Sequence, residues 1–157
     1  MPHHLTVRRA KPADLHLLVP LFEGYRAFYR CEPDAGRAKA FLIERLTRGD
    51  SVVFIALDER AGAGVGFVHL YPVYSSLMMR PAWILNDLFV EPAHRGQHIA
   101  RSLMDSARAM AEETGASSIT LETAPDNATA RRLYESLGYR AEGAFMQYVL
   151  DLGASPG

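Results

Sequence analysis

The stretch from Leu85 to Met104, LNDLFVEPAHRGQHIARSLM, constrains the fold of this chain more than any other. It opens as an apolar run carried by Leu85, Leu88, Phe89 and Val90, turns at a proline and passes through an Arg-Gly bend. It then enters a segment in which Ile99, Ala100, Leu103, Met104, Ala107, Met110 and Ala111 recur at spacings of three and four. That spacing is one face of a helix, and the apolar run ahead of it reads as a strand. A helix start carries unpaired N–H groups and the positive end of the dipole, so a strand that runs straight into one makes a seat for an anion. The helix is expected to begin near Gly96, with Arg95 and Arg101 adding charge.

The remainder alternates between the two periods. Leu5 and Val7 suggest a first strand, and Leu15, Leu18, Val19 and Phe22 an apolar helical stripe that starts at Pro12. Pro20 falls inside that helix, where it removes a hydrogen bond, so a kink or two helical pieces is expected. Asp34 suits the cap of a second helix burying Ala38, Phe41, Leu42 and Leu46. Segments 51–57 and 65–71 are β-branched and apolar around the turn DERAGAG, which reads as a hairpin, with Pro72 marking an edge or bulge. Strand four follows over 83–90. Gly115 stops the long helix, 118–122 reads as strand five, and Asp126 or Asn127 caps a helix ended by Gly138. Segment 145–150 is expected to close the chain as a strand. The order is α/β in class, a mixed sheet with helices on both faces.

At 157 residues the chain is long enough for one domain with its own core, expected over 1–152, with 153–157 a frayed tail. Lys plus Arg number 17 against 18 Asp plus Glu, a balance that disfavours nucleic acid or an anionic membrane as partner. The single cysteine, Cys31, excludes an internal disulfide and suits a reducing compartment. No signal core or membrane-length run is visible, so the expected location is cytoplasmic. The histidines show no metal-ligand spacing; His69, in a strand, reads as a solvated or hydrogen-bonded side chain.

The bend resembles motif A of the GCN5-related N-acetyltransferases (GNAT). Its pattern Arg/Gln-x-x-Gly-x-Gly/Ala is met by Arg95, Gly96, Gln97, His98, Ile99 and Ala100 at all but one position, His98 standing where the first glycine belongs. A residue in helical geometry needs no positive φ, so His98 is expected to be helical and still to donate its N–H. Asn127, Ala130, Leu133, Tyr134 and Gly138-Tyr139 are similar to the family's second signature, Asn-x-x-Ala-x-x-x-Tyr-x-x-x-Gly-Phe/Tyr. The resemblance covers nearly the whole chain and implies a single-domain GNAT fold with a mostly antiparallel sheet. It also implies acetyl-CoA as co-substrate, without metal.

By the same resemblance, the donor lies against Arg95 to Arg101, the strand-four backbone of Leu88, Phe89 and Val90, and Asn127, Ala130 and Tyr134; Arg131 and Arg132 are candidates for its 3′-phosphate. Tyr134 returns a proton to the departing thiolate, its phenol having a reference pKa of about 10. The connection between the first two helices overhangs the acceptor in the family, which makes Phe28, Tyr29 and Glu32 candidate walls.

The run Leu85-Asn-Asp-Leu-Phe-Val is similar to the matching strand of spermidine/spermine (diamine) acetyltransferases, where a glutamate base occupies the position of Asn86. Strand alternation places Leu85, Asp87 and Phe89 on one face and Asn86, Leu88 and Val90 on the other. Asp87, or Glu122 through a water, is then the candidate that anchors and deprotonates a cationic amine, with Asn86 beside it. The expected function is acetyl transfer to a small cationic amine. The alternatives are a protein α-amino or lysine acceptor, or a non-catalytic acyl-CoA sensor. Relatives are often dimers, so a homodimer is an expectation too.

Overall fold

The computed structural model describes residues 1–153; most of the expected tail lies outside them. Two compact units divide the chain, Met1–Glu122 and a shorter one from Thr123 onward. The first holds one sheet whose strands lie side by side in chain order: β1 (Leu5–Arg9), β2 (Val52–Asp58), β3 (Ala63–Ser75), β4 (Arg80–Val90) and β5 (Ile119–Thr120). The first three pairings are antiparallel and β4–β5 is parallel. This is the expected mixed sheet. Among the described residues no helix is long and apolar enough to cross a membrane.

Helices cover both faces. On one side α1 (Leu15–Phe28) and α2 (Ala35–Arg48) bring Leu18, Leu21 and Leu42 onto Val53, Ile55, Leu57, Phe67 and Phe89 to form a dry core. On the other side α3 (Ile99–Glu113) buries Ile99, Leu103, Met104, Ala107, Met110 and Ala111, the stripe its periodicity foretold. Gly66 faces α3, because a Cβ there would meet Ile99 at 3.4 Å, Val90 at 3.3 Å and the Phe89 carbonyl at 2.9 Å. Only a glycine lets the strand end and the helix start approach this closely.

Pro20 does not break α1. The helix runs through it, and the lost bond to the preceding turn is outweighed because Leu18 and Leu21 on either side are wholly buried. Gly24 packs closely: a Cβ there would sit 3.0 Å from the Phe89 ring. Asp34 caps α2 by accepting from the Arg37 N–H at 3.0 Å, as expected. Phe41 stays partly exposed but stacks on Phe22 with ring centroids 5.9 Å apart.

β3 is longer than its apolar run, because β4 pairs with it as far as Ser75 while β2 leaves at Leu70. Pro72 therefore lies where β3 has a neighbour on one side only, the edge its missing N–H requires. β5 is shorter than expected, two residues against five.

The second unit carries α4 (Ala128–Ser136), capped by Asn127 and followed by Gly138 at φ +93°. Segment 145–150 is not a strand, contrary to its composition. Strand propensity alone forms nothing without a paired ladder, and this unit contains no other strand among its described residues.

Candidate active site

The corner expected to hold the donor is built from backbone. β4 ends at Val90, and a 3₁₀ turn over Pro92–His94 redirects the chain toward α3. The Arg95 side chain ties this turn down, its Nε donating to the Val90 carbonyl at 3.2 Å. Gly96 then adopts φ +79° and His98 φ +62°, whereas Gln97 between them is not in the positive-φ region. Residues whose φ alternates in sign turn successive N–H groups toward one point, a concavity suited to phosphate oxygens.

Two expectations fail here. The helix starts at Ile99, not near Gly96, and His98 is its left-handed N-cap, not a helical residue. The pattern wants glycine at this position because the turn needs a positive φ, which a histidine adopts at a cost of about 1–2 kcal/mol. The turn is nevertheless compatible with the expected seat for an anion. His98 makes no side-chain cap and the first turn holds no acidic residue. Ala100 and Arg101 continue that turn.

Among the described residues, the strand beside this corner has no strand partner along part of one edge. β4 pairs with β5 only through Trp83↔Ile119 and Ile84↔Thr120 and then runs six residues further, to Val90. Leu88, Phe89 and Val90 belong to that open part. Their backbone groups on that edge are directed away from β3, where a polar ligand arm could meet them.

A register shift marks the middle of β4. His69 pairs with Asp87 but Leu70 with Leu85, so Asn86 is an extra residue, a β-bulge. Paired residues share a face and His69 and Leu70 do not, so Leu85 and Asp87 lie on opposite faces. The simple alternation read from the sequence is corrected by this bulge. Asp87 joins Phe67 and Phe89 on the α1 side, and Asn86 is exposed.

Around Asp87 the structure gathers polar groups from distant parts of the chain. Its carboxylate, 4% exposed, accepts from Asn86 Nδ2 at 2.9 Å. His69, wholly buried, holds Nδ1 3.4 Å from Asp87 Oδ2 and Nε2 2.7 Å from Ser51 Oγ. The Tyr25 hydroxyl of α1 lies 3.4 Å from the Asn86 carbonyl. Burial, then the charge and hydrogen bonding of Asp87, push the Tyr25 phenol well above its usual range. Tyr71, stacked on His69 at 4.6 Å, is pushed up to about 12 by burial and by Asp87. Both phenols stay protonated at neutral pH, and that of Tyr25 is hydrogen-bonded beside the carboxylate.

The predicted acceptor walls adjoin this cluster in part. Tyr29 packs edge-on against Tyr25 with centroids 5.0 Å apart, and Phe28 packs on Tyr29 at 5.2 Å. Phe28 and Tyr29 are 59% and 62% exposed, so they are not core. Glu32 is exposed, its carbonyl accepting from Arg26 at 2.9 Å. Glu122, exposed, follows β5 and is not among the groups around Asp87. Tyr25, His69, Ser51 and Tyr71 were not singled out as site residues; a histidine inside the apolar run VGFVHL was the one signal in the sequence.

In the second unit the Asn-x-x-Ala signature has a structural basis. Asn127 Oδ1 accepts from the Ala130 N–H at 3.2 Å and so caps α4. Tyr134 is partly buried, its ring 6.2 Å from that of Tyr139, and the Tyr139 N–H returns to its carbonyl at 3.0 Å. Arg131 Nη1 donates to the Pro125 carbonyl at 3.0 Å, and Arg132 is exposed.

Comparison with known proteins decides the family. The model of the acetyltransferase (GNAT) family matches residues 18–139. The chain belongs to the GNAT family of acetyltransferases. An uncharacterized N-acetyltransferase, YhfO, of Bacillus subtilis is 41% identical over 96% of this acetyltransferase and 99% of its own length. A probable acetyltransferase of Haemophilus influenzae is 32% identical over 84% and 88%. A crystal structure of a probable acetyltransferase superposes with a TM-score of 0.89 at 37% identity, covering 96% of this chain and 99% of that one. Family, fold and N-acetyltransferase activity expected from the two signatures are thus supported, and acetyl-CoA is the donor that the family uses.

Proposed function

We propose that this N-acetyltransferase transfers an acetyl group from acetyl-CoA directly to a primary amine, with a small cationic amine such as a diamine or polyamine as acceptor. The observation that carries the acceptor class is the buried Asp87 carboxylate, set at the bulge of β4 and faced by protonated phenols. A buried carboxylate with little solvent around it attracts a cation and can take its proton.

On the donor side the N–H groups from Gly96 to Ile99 hold the diphosphate, with Arg95 fixing the turn and Arg101 adding charge. The open edge at Leu88 to Val90 takes the pantetheine arm, where backbone donors fixed in advance stabilise charge developing on the thioester oxygen. Asn127 and Ala130 set the start of α4, and Tyr134 supplies the proton that the departing thiolate needs. Glu122 is kept as a second acidic group acting through water. Tyr134→Phe lowers turnover with little change in donor binding.

A protein amine is the second reading. Phe28 and Tyr29 favour it, since exposed aromatic rings at the end of α1 are suited to a peptide or an aliphatic side chain. Thiol release with acetyl-CoA and a panel of diamines, polyamines, amino acids and free-amine peptides separates the two. Turnover that favours polyamines supports the first; turnover confined to peptides replaces it with the second.

A further inference from the structure

We propose that His69 is a positioning residue behind Asp87 that accepts, through Asp87, the proton removed from the amine. The inference rests on the reading of Asp87 as the group that meets the amine. It goes beyond that reading by naming where the proton ends.

Three observations converge on it. His69 is wholly buried in the middle of β3, yet its Nδ1 has no hydrogen-bond partner among the described residues although Asp87 Oδ2 stands 3.4 Å away. A buried, unpartnered ring nitrogen is costly and calls for a reason. The other nitrogen, Nε2, is engaged by Ser51 Oγ at 2.7 Å. With Nε2 carrying the ring hydrogen toward Ser51, Nδ1 keeps a lone pair facing the carboxylate, and a proton arriving on Asp87 is what would close that gap. The bulge at Asn86 keeps Asp87 on the same face as His69.

The chemistry explains why such a partner helps. A free carboxylic acid, reference pKa about 3.9, holds a proton poorly against an alkylammonium near 10.4, whereas imidazole, near 6.5, holds it better by about 2.6 units. The amine N–H bond breaks as an Asp87 O–H bond forms; that O–H bond breaks in turn as the His69 Nδ1–H bond forms. No electrons change hands. Asp87 ends as a carboxylate paired with an imidazolium, and the proton leaves by the reverse route once product has gone. The charge within the pocket is conserved, since the positive charge that entered on the amine resides on His69.

The groups facing the pair are consistent with this. Tyr25 from α1 and Tyr71 from β3 are neutral phenols held protonated. Ser51 and Asn86 carry no charge. Arg45 of α2 and Asp50 lie near Tyr71 and offset one another at 3.0 Å. The proton moving between Asp87 and His69 thus meets no uncompensated charge among the groups named.

The test is the pH dependence of kcat at saturating amine, which reports groups in the substrate complex, for wild type, His69→Gln, Ser51→Ala and Asp87→Asn. In His69→Gln the plateau is expected to fall about tenfold and the acid limb to move about one pH unit lower, with both KM values within about twofold, because a weaker base remains. A His69→Gln profile that coincides with wild type overturns the inference while Asp87→Asn remains impaired. Unchanged turnover in Asp87→Asn overturns the underlying reading instead. Should His69→Gln fail to fold by thermal melting, Ser51→Ala decides, since it leaves the ring in place and frees Nε2. A limb shifted without change in KM supports the inference, and an unshifted limb overturns it.

Discussion

The two sides of β4 are made from different materials. The proposed donor corner is backbone: N–H groups oriented by Gly96, Gln97 and His98, beside a strand edge with no strand partner among the described residues. The proposed acceptor side is side chain: Asp87, His69, Ser51, Tyr25 and Tyr71, drawn from α1, the residue before β2, β3 and β4. A site made of backbone recognises what is common to every reaction of a family, in the reading proposed above a diphosphate. A site made of side chains is free to differ, and specificity resides there.

Substitutions are the means to break this contrast. The largest effect is expected from Asp87→Asn, a fall of about 100-fold in kcat/KM for the amine with acetyl-CoA affinity unchanged in titration calorimetry. Loss of donor affinity in that variant would erase the division. Gln97→Pro removes one N–H from the donor corner and is expected to weaken acetyl-CoA binding about tenfold, about 1.4 kcal/mol, with the fold intact by circular dichroism. Undiminished donor binding would mean that the N–H groups are not the seat.

Smaller effects sharpen it. Asp14 lies apart from both regions, its carboxylate meeting Arg8 at 2.7 Å through both oxygens and accepting the Lys11 N–H at 2.8 Å. The bond to Arg8 foremost holds it at about 2, below its ordinary 3.8. A lowered carboxylate stabilises the fold above its unfolded value and loses that contribution as pH falls through the folded one. Asp14→Asn is therefore expected to cost stability at neutral pH, the difference vanishing between about pH 4 and pH 2 in denaturant melts. Arg8 is 44% exposed, so solvent screening keeps the neutral-pH difference at about 1 kcal/mol or below. Least of all, His98→Gly relieves the left-handed strain but gains unfolded-state freedom, so stability is expected to stay within about 0.5 kcal/mol of wild type and donor binding to persist. A large loss of donor affinity would give the imidazole a role that the backbone account denies it.

What could be read in advance follows the same division. The donor corner lies within one continuous stretch, so its residues, its helix stripe and its family pattern are all local, and Asn127 and Ala130 are three positions apart for the same reason. The acceptor side is held together by strand register. Nothing in the one-dimensional pattern links Ser51 to His69 or His69 to Asp87; only the β2–β3 and β3–β4 ladders do. The alternation rule held for Asp87 and Phe89 but failed at Leu85, because a bulge adds a residue that hydrophobicity does not reveal. His98 was misjudged for a related reason, since a departure from glycine says nothing about whether φ has changed with it. Segment 145–150 shows the limit of propensity, because a strand depends on a neighbour.

The close seat of Gly24 on the Phe89 ring has a mechanical sequel. With no slack between helix and strand, any outward displacement of β4 must carry α1 along, and the aromatic pair Phe28 and Tyr29 at its far end moves with it. Movement of the strand is thereby coupled to the exposed rings at the end of the helix.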